Sequence, residues 1–145
     1  MATDGDLLHK KVGAKVGPLG GVPEAELQRC EAELGCPFPP SFRSFLSNYA
    51  FGQIRDEVIY GVDVRREGVP DILKVHAARK ARRSRTLHEV VFCDGNEVCF
   101  VFDTSGPGGD GEYPVFIYDD GADRKFYAPN FTEFVRRRVR ELLRE

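Results

Sequence analysis

Residues 90–102 read Val-Val-Phe-Cys-Asp-Gly-Asn-Glu-Val-Cys-Phe-Val-Phe. Two β-branched and aromatic runs, Val90 to Cys93 and Val98 to Phe102, flank Asp94 to Glu97, and runs of this kind around an Asp-Gly turn predict an antiparallel hairpin. Gly95 is the residue expected to accept positive φ. Both runs are apolar at consecutive positions, so both faces of the sheet are expected to be covered here. The hairpin also bears on the cysteines. With an even-numbered loop, Cys93 and Cys99 have opposite parity and point to opposite faces, where they cannot share a metal. The spacing of Cys30 from Cys36 and of Cys93 from Cys99 is longer than zinc sites prefer. Reduced, mostly buried thiols are therefore expected, rather than zinc or a disulfide.

Outward from the hairpin, Val58 to Val62 suits a short strand, Tyr113 to Tyr118 another, and Phe126 to Ala128 a last one. Between Val62 and the hairpin, Pro70 to about Ala81 has a helical pattern. Helices bracket the strands. Pro23, Glu24 and Glu26 suit a helix start, Leu27, Cys30 and Leu34 share one face, and Gly35 ends it. Pro39 and Pro40 open a second helix in which Phe42, Phe45, Leu46 and Tyr49 recur at helical spacing, with Gly52 as a stop. Asn130 and Glu133 form a capping box for a final helix with Phe131, Phe134, Val135, Val139, Leu142 and Leu143 on its apolar face. Thr104 to Glu112, with four glycines and Pro107, is expected to be a mobile loop. Residues 1–21 read as a loosely held arm and residues 22–145 as one domain. The resulting class is α+β, with a central, mainly antiparallel sheet flanked by N-terminal helices and a C-terminal helix.

A chain of 145 residues is long enough to bury roughly two thirds of its unfolded surface without a metal or disulfide. Its 41% hydrophobic and 30% charged residues are a globular composition, and no apolar run approaches a membrane span. The start, Met-Ala-Thr-Asp-Gly-Asp, lacks the basic and apolar regions of a signal peptide, so a cytoplasmic location is expected. His9, His76 and His88 have no triad-like or ligand-like neighbours in sequence. Asp119, Asp120 and Asp123 around Gly121 lack the closing Glu of a calcium loop. No catalytic residue, metal or cofactor is implied.

In order and spacing, several pieces resemble the SUKH superfamily: Glu-Ala-Glu-Leu-Gly, then Phe-Pro-Pro-Ser-Phe-Arg-Ser-Phe-Leu, a basic linker, the Asp-Gly hairpin ending at Phe102-Asp103, and Ala-Pro-Asn-Phe-Thr-Glu-Phe from Ala128. The likeness covers roughly Val22 to Leu143. It implies a non-enzymatic α+β scaffold. Many bacterial members resemble immunity proteins that neutralise a cognate toxin, often a nuclease or deaminase, and others are regulatory scaffolds. The chain departs from the usual pattern in having no tryptophan, with Tyr118 where an aromatic, often Trp, is expected.

Charge is segregated along the chain although the net value is −2. Lys74 to Arg85 holds six basic residues and no acid, whereas Leu87 to Asp123 holds nine acids and no Lys or Arg. Such a stretch produces a field able to steer a basic partner. Asp94, Asp103, Asp110, Glu112, Asp119, Asp120 and Asp123, with Tyr113 and Tyr118 as aromatic anchors, are therefore the candidate partner-binding residues. Ordinary turn chemistry is the competing account of the same acids. The basic run admits phosphate contacts, but a pI near 6.0 and the absence of a nucleic-acid-binding motif favour a solvated face. The expectation is a monomer or weak homo-oligomer that binds a toxin domain, without nucleic acid or membrane.

Overall fold

The computed structural model describes residues 21–63, 68–82, 88–95, 97–119 and 123–143. The expected arm lies outside them except for Gly21, as does Asp120. The elements run α1 (Glu24–Leu34), α2 (Pro40–Asn48), β1 (Gly52–Ile54), β2 (Glu57–Ile59), α3 (Ile72–Arg82), β3 (Glu89–Asp94), β4 (Cys99–Asp103), β5 (Val115–Tyr118), β6 (Lys125–Ala128) and α4 (Phe131–Leu143). The strands form one sheet in chain order, every neighbouring pair antiparallel. This is the expected α+β class. Among the described residues, the connection from β2 to β3 carries the helix inserted between strands, α3.

Local chemistry sets the helix ends. Pro23 stands just before α1 with extended ψ, one position earlier than the sequence suggested, while Glu24 and Glu26 occupy the positive first turn. Gly35 takes φ 81 and donates its N–H to Glu31 O, a closure that a side chain would strain. Pro40 begins α2, and Arg43 reaches back to both Glu24 and Glu31 of α1. Asn130 Oδ1 accepts the Glu133 N–H at 2.8 Å, half of the expected capping box; the Glu133 carboxylate turns instead to Arg136.

Two departures concern tight turns. Gly52, expected to stop α2, begins β1, and α2 ends at Asn48 with Tyr49 already extended. The β1–β2 hairpin turns at Arg55, which takes φ 54 without being glycine, so no turn signal marked it. At the β3–β4 turn the positive φ falls on Glu97, not Gly95. Gly95 serves a different need, because a Cβ there would stand 2.5 Å from Cγ of Glu57.

Each helix contributes to a single apolar cluster on one face of the sheet. The cluster centres on Phe42, Phe45, Phe92, Phe100, Phe102, Phe131 and Phe134, all essentially inaccessible to solvent. Phe92 stacks on Phe102 with centroids 3.9 Å apart, and Phe42 and Phe131 meet that stack edge-on. The extra residue of a β-bulge between Val91 and Cys93 places both Phe92 and Cys93 in this cluster. Cys93 pairs with Phe100 and is buried, whereas Cys99 lies on the other face, as its parity required. Burial pushes the Cys30 thiol up to about 11, consistent with a small apolar role.

Replacing Phe42 by Ala is expected to cost about 3–5 kcal/mol, through lost burial and the cavity left between two strands and two helices. A urea midpoint equal to the parent's would refute that placement.

Candidate functional site

The register assigns the outer face, opposite the helices. Val58, Asp94, Cys99 and Tyr118 form one row across β2 to β5, and Val91, Val101, Phe116 and Phe126 form the next across β3 to β6. Glu89 and Asp103 form a third. Tyr118 nevertheless donates its hydroxyl to Glu89, at 2.7 and 2.9 Å to the two oxygens, so its side chain crosses over the valine row. Val91 and Val101 are buried, in keeping with two covered faces. Arg124 completes the arrangement. One amino group donates to Glu89 at 2.9 Å, the other to Asp103 at 2.8 Å, and the guanidinium lies 4.1 Å from the centre of the Phe116 ring.

The candidate acids separate into two groups. Asp103 accepts from Ser105 and Arg124. Burial raises its pKa, but those hydrogen bonds outweigh it and hold the carboxyl below the ordinary value. Asp110 accepts the Glu112 N–H at 3.0 Å. Glu112 accepts the Ser41 N–H at 2.8 Å and the Ser41 hydroxyl at 2.7 Å, and so caps α2 from a distant loop. Tyr113 is buried and donates its hydroxyl to Pro37 O at 2.8 Å; burial pushes it up to about 12. Together these contacts pin the glycine-rich loop, expected to be mobile, to the entry of α2. They are structural roles.

Asp94, Tyr118 and Asp119 converge instead. With Gly95, Val98, Cys99 and a carboxylate absent from the candidate list, Glu97, they line a shallow hollow of about 330 Å³ where the β3–β4 turn meets the end of β5. Tyr60 donates to Asp94 at 3.4 Å, and burial followed by the Asp94 charge pushes Tyr60 up to about 12, so that it keeps its proton. Lys125 stands 3.7 Å from Asp119 across the rim. Asp123 is exposed and outside the hollow. The convergence can supply a negative potential beside an aromatic ring. No group of three or more His, Cys, Asp or Glu among the described residues is arranged to hold a metal ion.

Residues 21–137 match the SMI1 / KNR4 family (SUKH-1). The chain belongs to that family. No curated protein matches it closely enough to count as a relative. In this SUKH-1 domain the match spans all the strands and the first part of α4, so the hollow and the Arg124 network lie inside it. No helix of the described residues is long and apolar enough to cross a membrane. The family and the fold are consistent with a protein-interaction role. Sequence reasoning missed Glu89, Glu97, Arg124 and Phe126 as members of this face. Only Glu97 and Glu89 carried a signal, their place in the acidic stretch; the others are brought there by register.

Two measurements test these assignments. Replacing Glu112 by Ala is expected to cost about 0.5–2 kcal/mol, the loss of a helix cap, seen as a lower urea midpoint. Because the folded pKa of Asp103 lies below its ordinary 3.8, its contribution is complete above that value and disappears as pH falls through the folded pKa. The parent should therefore lose stability more steeply below about pH 4 than the Asp103→Asn variant; parallel curves would contradict the assignment.

Proposed function

We propose that this SUKH-1 domain is an immunity protein that binds a cognate bacterial toxin domain, of nuclease or deaminase type, and occludes its active site. The observation that carries the reading is the convergence of Asp94, Glu97 and Asp119 around Tyr118 at one end of the outer sheet face. A nuclease must gather positive charge to hold phosphates, and an acidic surface on a rigid sheet competes for that groove. Long-range attraction raises the encounter rate, and the field falls off over about 8 Å at physiological salt. Acids already engaged with Ser41, Ser105 and Arg124 add to that field without being spent on contacts. The basic run does not favour a nucleic-acid reading, because the chain's pI is about 6.0 and it carries no nucleic-acid-binding motif; Arg83 and Arg85 of the run lie outside the described residues.

Co-expression with the toxin domain encoded beside this chain's gene tests the proposal. Survival of the host and co-purification of the two chains are expected. Changing Asp94, Glu97 and Asp119 to Asn, Gln and Asn should leave the fold intact and slow association about tenfold at low salt, a difference that shrinks as salt rises. Full protection with an unchanged association rate would remove the hollow from the interface. A neighbouring gene of housekeeping function, with no toxin to bind, would favour a regulatory scaffold instead.

A further inference from the structure

Phe126 is 58% exposed, the one large apolar side chain so exposed among the described residues. It stands on β6, an edge strand, and meets Phe116 of β5 edge-on, with centroids 5.8 Å apart and planes at 87°. Phe116 is in turn covered by Arg124, whose two ion pairs fix it over the ring. The three side chains form a ridge along the outer face. Exposed as it is, Phe126 contributes little to the core and is absent from the cluster that stabilises the helices.

We propose that this ridge, Phe126 on Phe116 under Arg124, is the apolar anchor of a docking surface for a protein segment that carries an aromatic or aliphatic side chain flanked by Lys or Arg. The reading of the toxin as natural partner comes from the preceding proposal; the surface itself does not depend on it. Three observations fix the chemistry of the occupant.

Charge is the first. The ridge's own cation, Arg124, is matched by Glu89 and Asp103; Lys125, which register turns to the opposite face, lies near Asp119; and the hollow at the end of the sheet brings the carboxylates Asp94 and Glu97 into the same field. A basic flank is favoured and an acidic one repelled. Preorganisation is the second. Phe126 is held against a ring that is itself clamped, so little side-chain freedom remains to be lost when a partner covers it, the situation of an interface hot spot. The third concerns the mode of docking. Arg137 of α4 donates to Tyr127 O at 2.7 Å, which takes one edge carbonyl of β6 away from any strand that would pair there. The partner is thus expected to lie on the face rather than extend the sheet.

The test uses a displayed library of random dodecapeptides, panned against the full chain and against its Phe126→Ser variant. Their thermal unfolding is compared first and should coincide. Enriched peptides should place Lys or Arg beside an aromatic or aliphatic residue and bind the Ser variant at least tenfold more weakly, with the loss in the dissociation rate. Enrichment of acidic peptides, equal binding to both proteins, or no enrichment overturns the proposal. With the neighbouring toxin domain, Phe126→Ser should raise the dissociation rate 10- to 100-fold while association changes less than twofold. Basic peptides that need Phe126 beside a toxin domain that does not bind would leave the surface standing and remove the immunity reading; toxin binding together with peptides that bind both proteins equally would do the reverse.

Discussion

The stack of Phe92 on Phe102 holds this domain together, because it is where elements from both ends of the chain meet. Phe42 comes from α2 and Phe131 from α4, and each touches both rings of the stack. Edge-to-face pairs at these separations add about 0.5–1.5 kcal/mol each beyond the area they bury. A chain with a single methionine and no tryptophan thus concentrates its cohesion in phenylalanine. The choice suits a rigid scaffold: phenylalanine has no polar group to satisfy and few rotamers to lose.

The second constraint is ionic. Glu57 of β2 is buried on the helix face of the sheet, and Arg138 of α4 meets it through both Nε and an amino group. Arg138 also lies 4.9 Å from the centre of the Phe100 ring. A buried carboxylate is tolerated only with such a partner, and removing one member strands the other in a poor medium for charge. The pair fixes how α4 lies across the early strands. It also explains Gly95, whose missing side chain leaves room for the Glu57 stem.

Much of this was legible in the sequence where the information is local. Proline and glycine punctuation, with apolar residues at helical spacing, located α1, α2 and α4, and the parity of Cys93 and Cys99 followed from one even-numbered loop. The strand β1 was not legible, because a three-residue strand ending at a non-glycine positive φ has no compositional signature. The candidate site was less readable still. Glu112 and Asp110 have the composition of an acidic recognition loop, yet Glu112 is committed to Ser41 of α2. Arg138 looks like its neighbours Arg136 and Arg137, yet it alone turns inward to Glu57. Partners so far apart in the chain are chosen by register and packing, which no local pattern encodes.

The bulge in β3 has an arithmetical consequence. Between Glu89 and Asp94 the strand uses six residues to face the five of β4 from Cys99 to Asp103. Phe92 is the surplus, so Glu89 and Asp94 keep the same facing that five regular residues would have given their ends. Removing Phe92 would restore an unbroken ladder and leave the outward acids where they are, while taking away the ring on which the two helices converge. Strand length and outward facing are thereby uncoupled: the molecule carries its keystone as an insertion, and the outer face of the sheet does not register its presence.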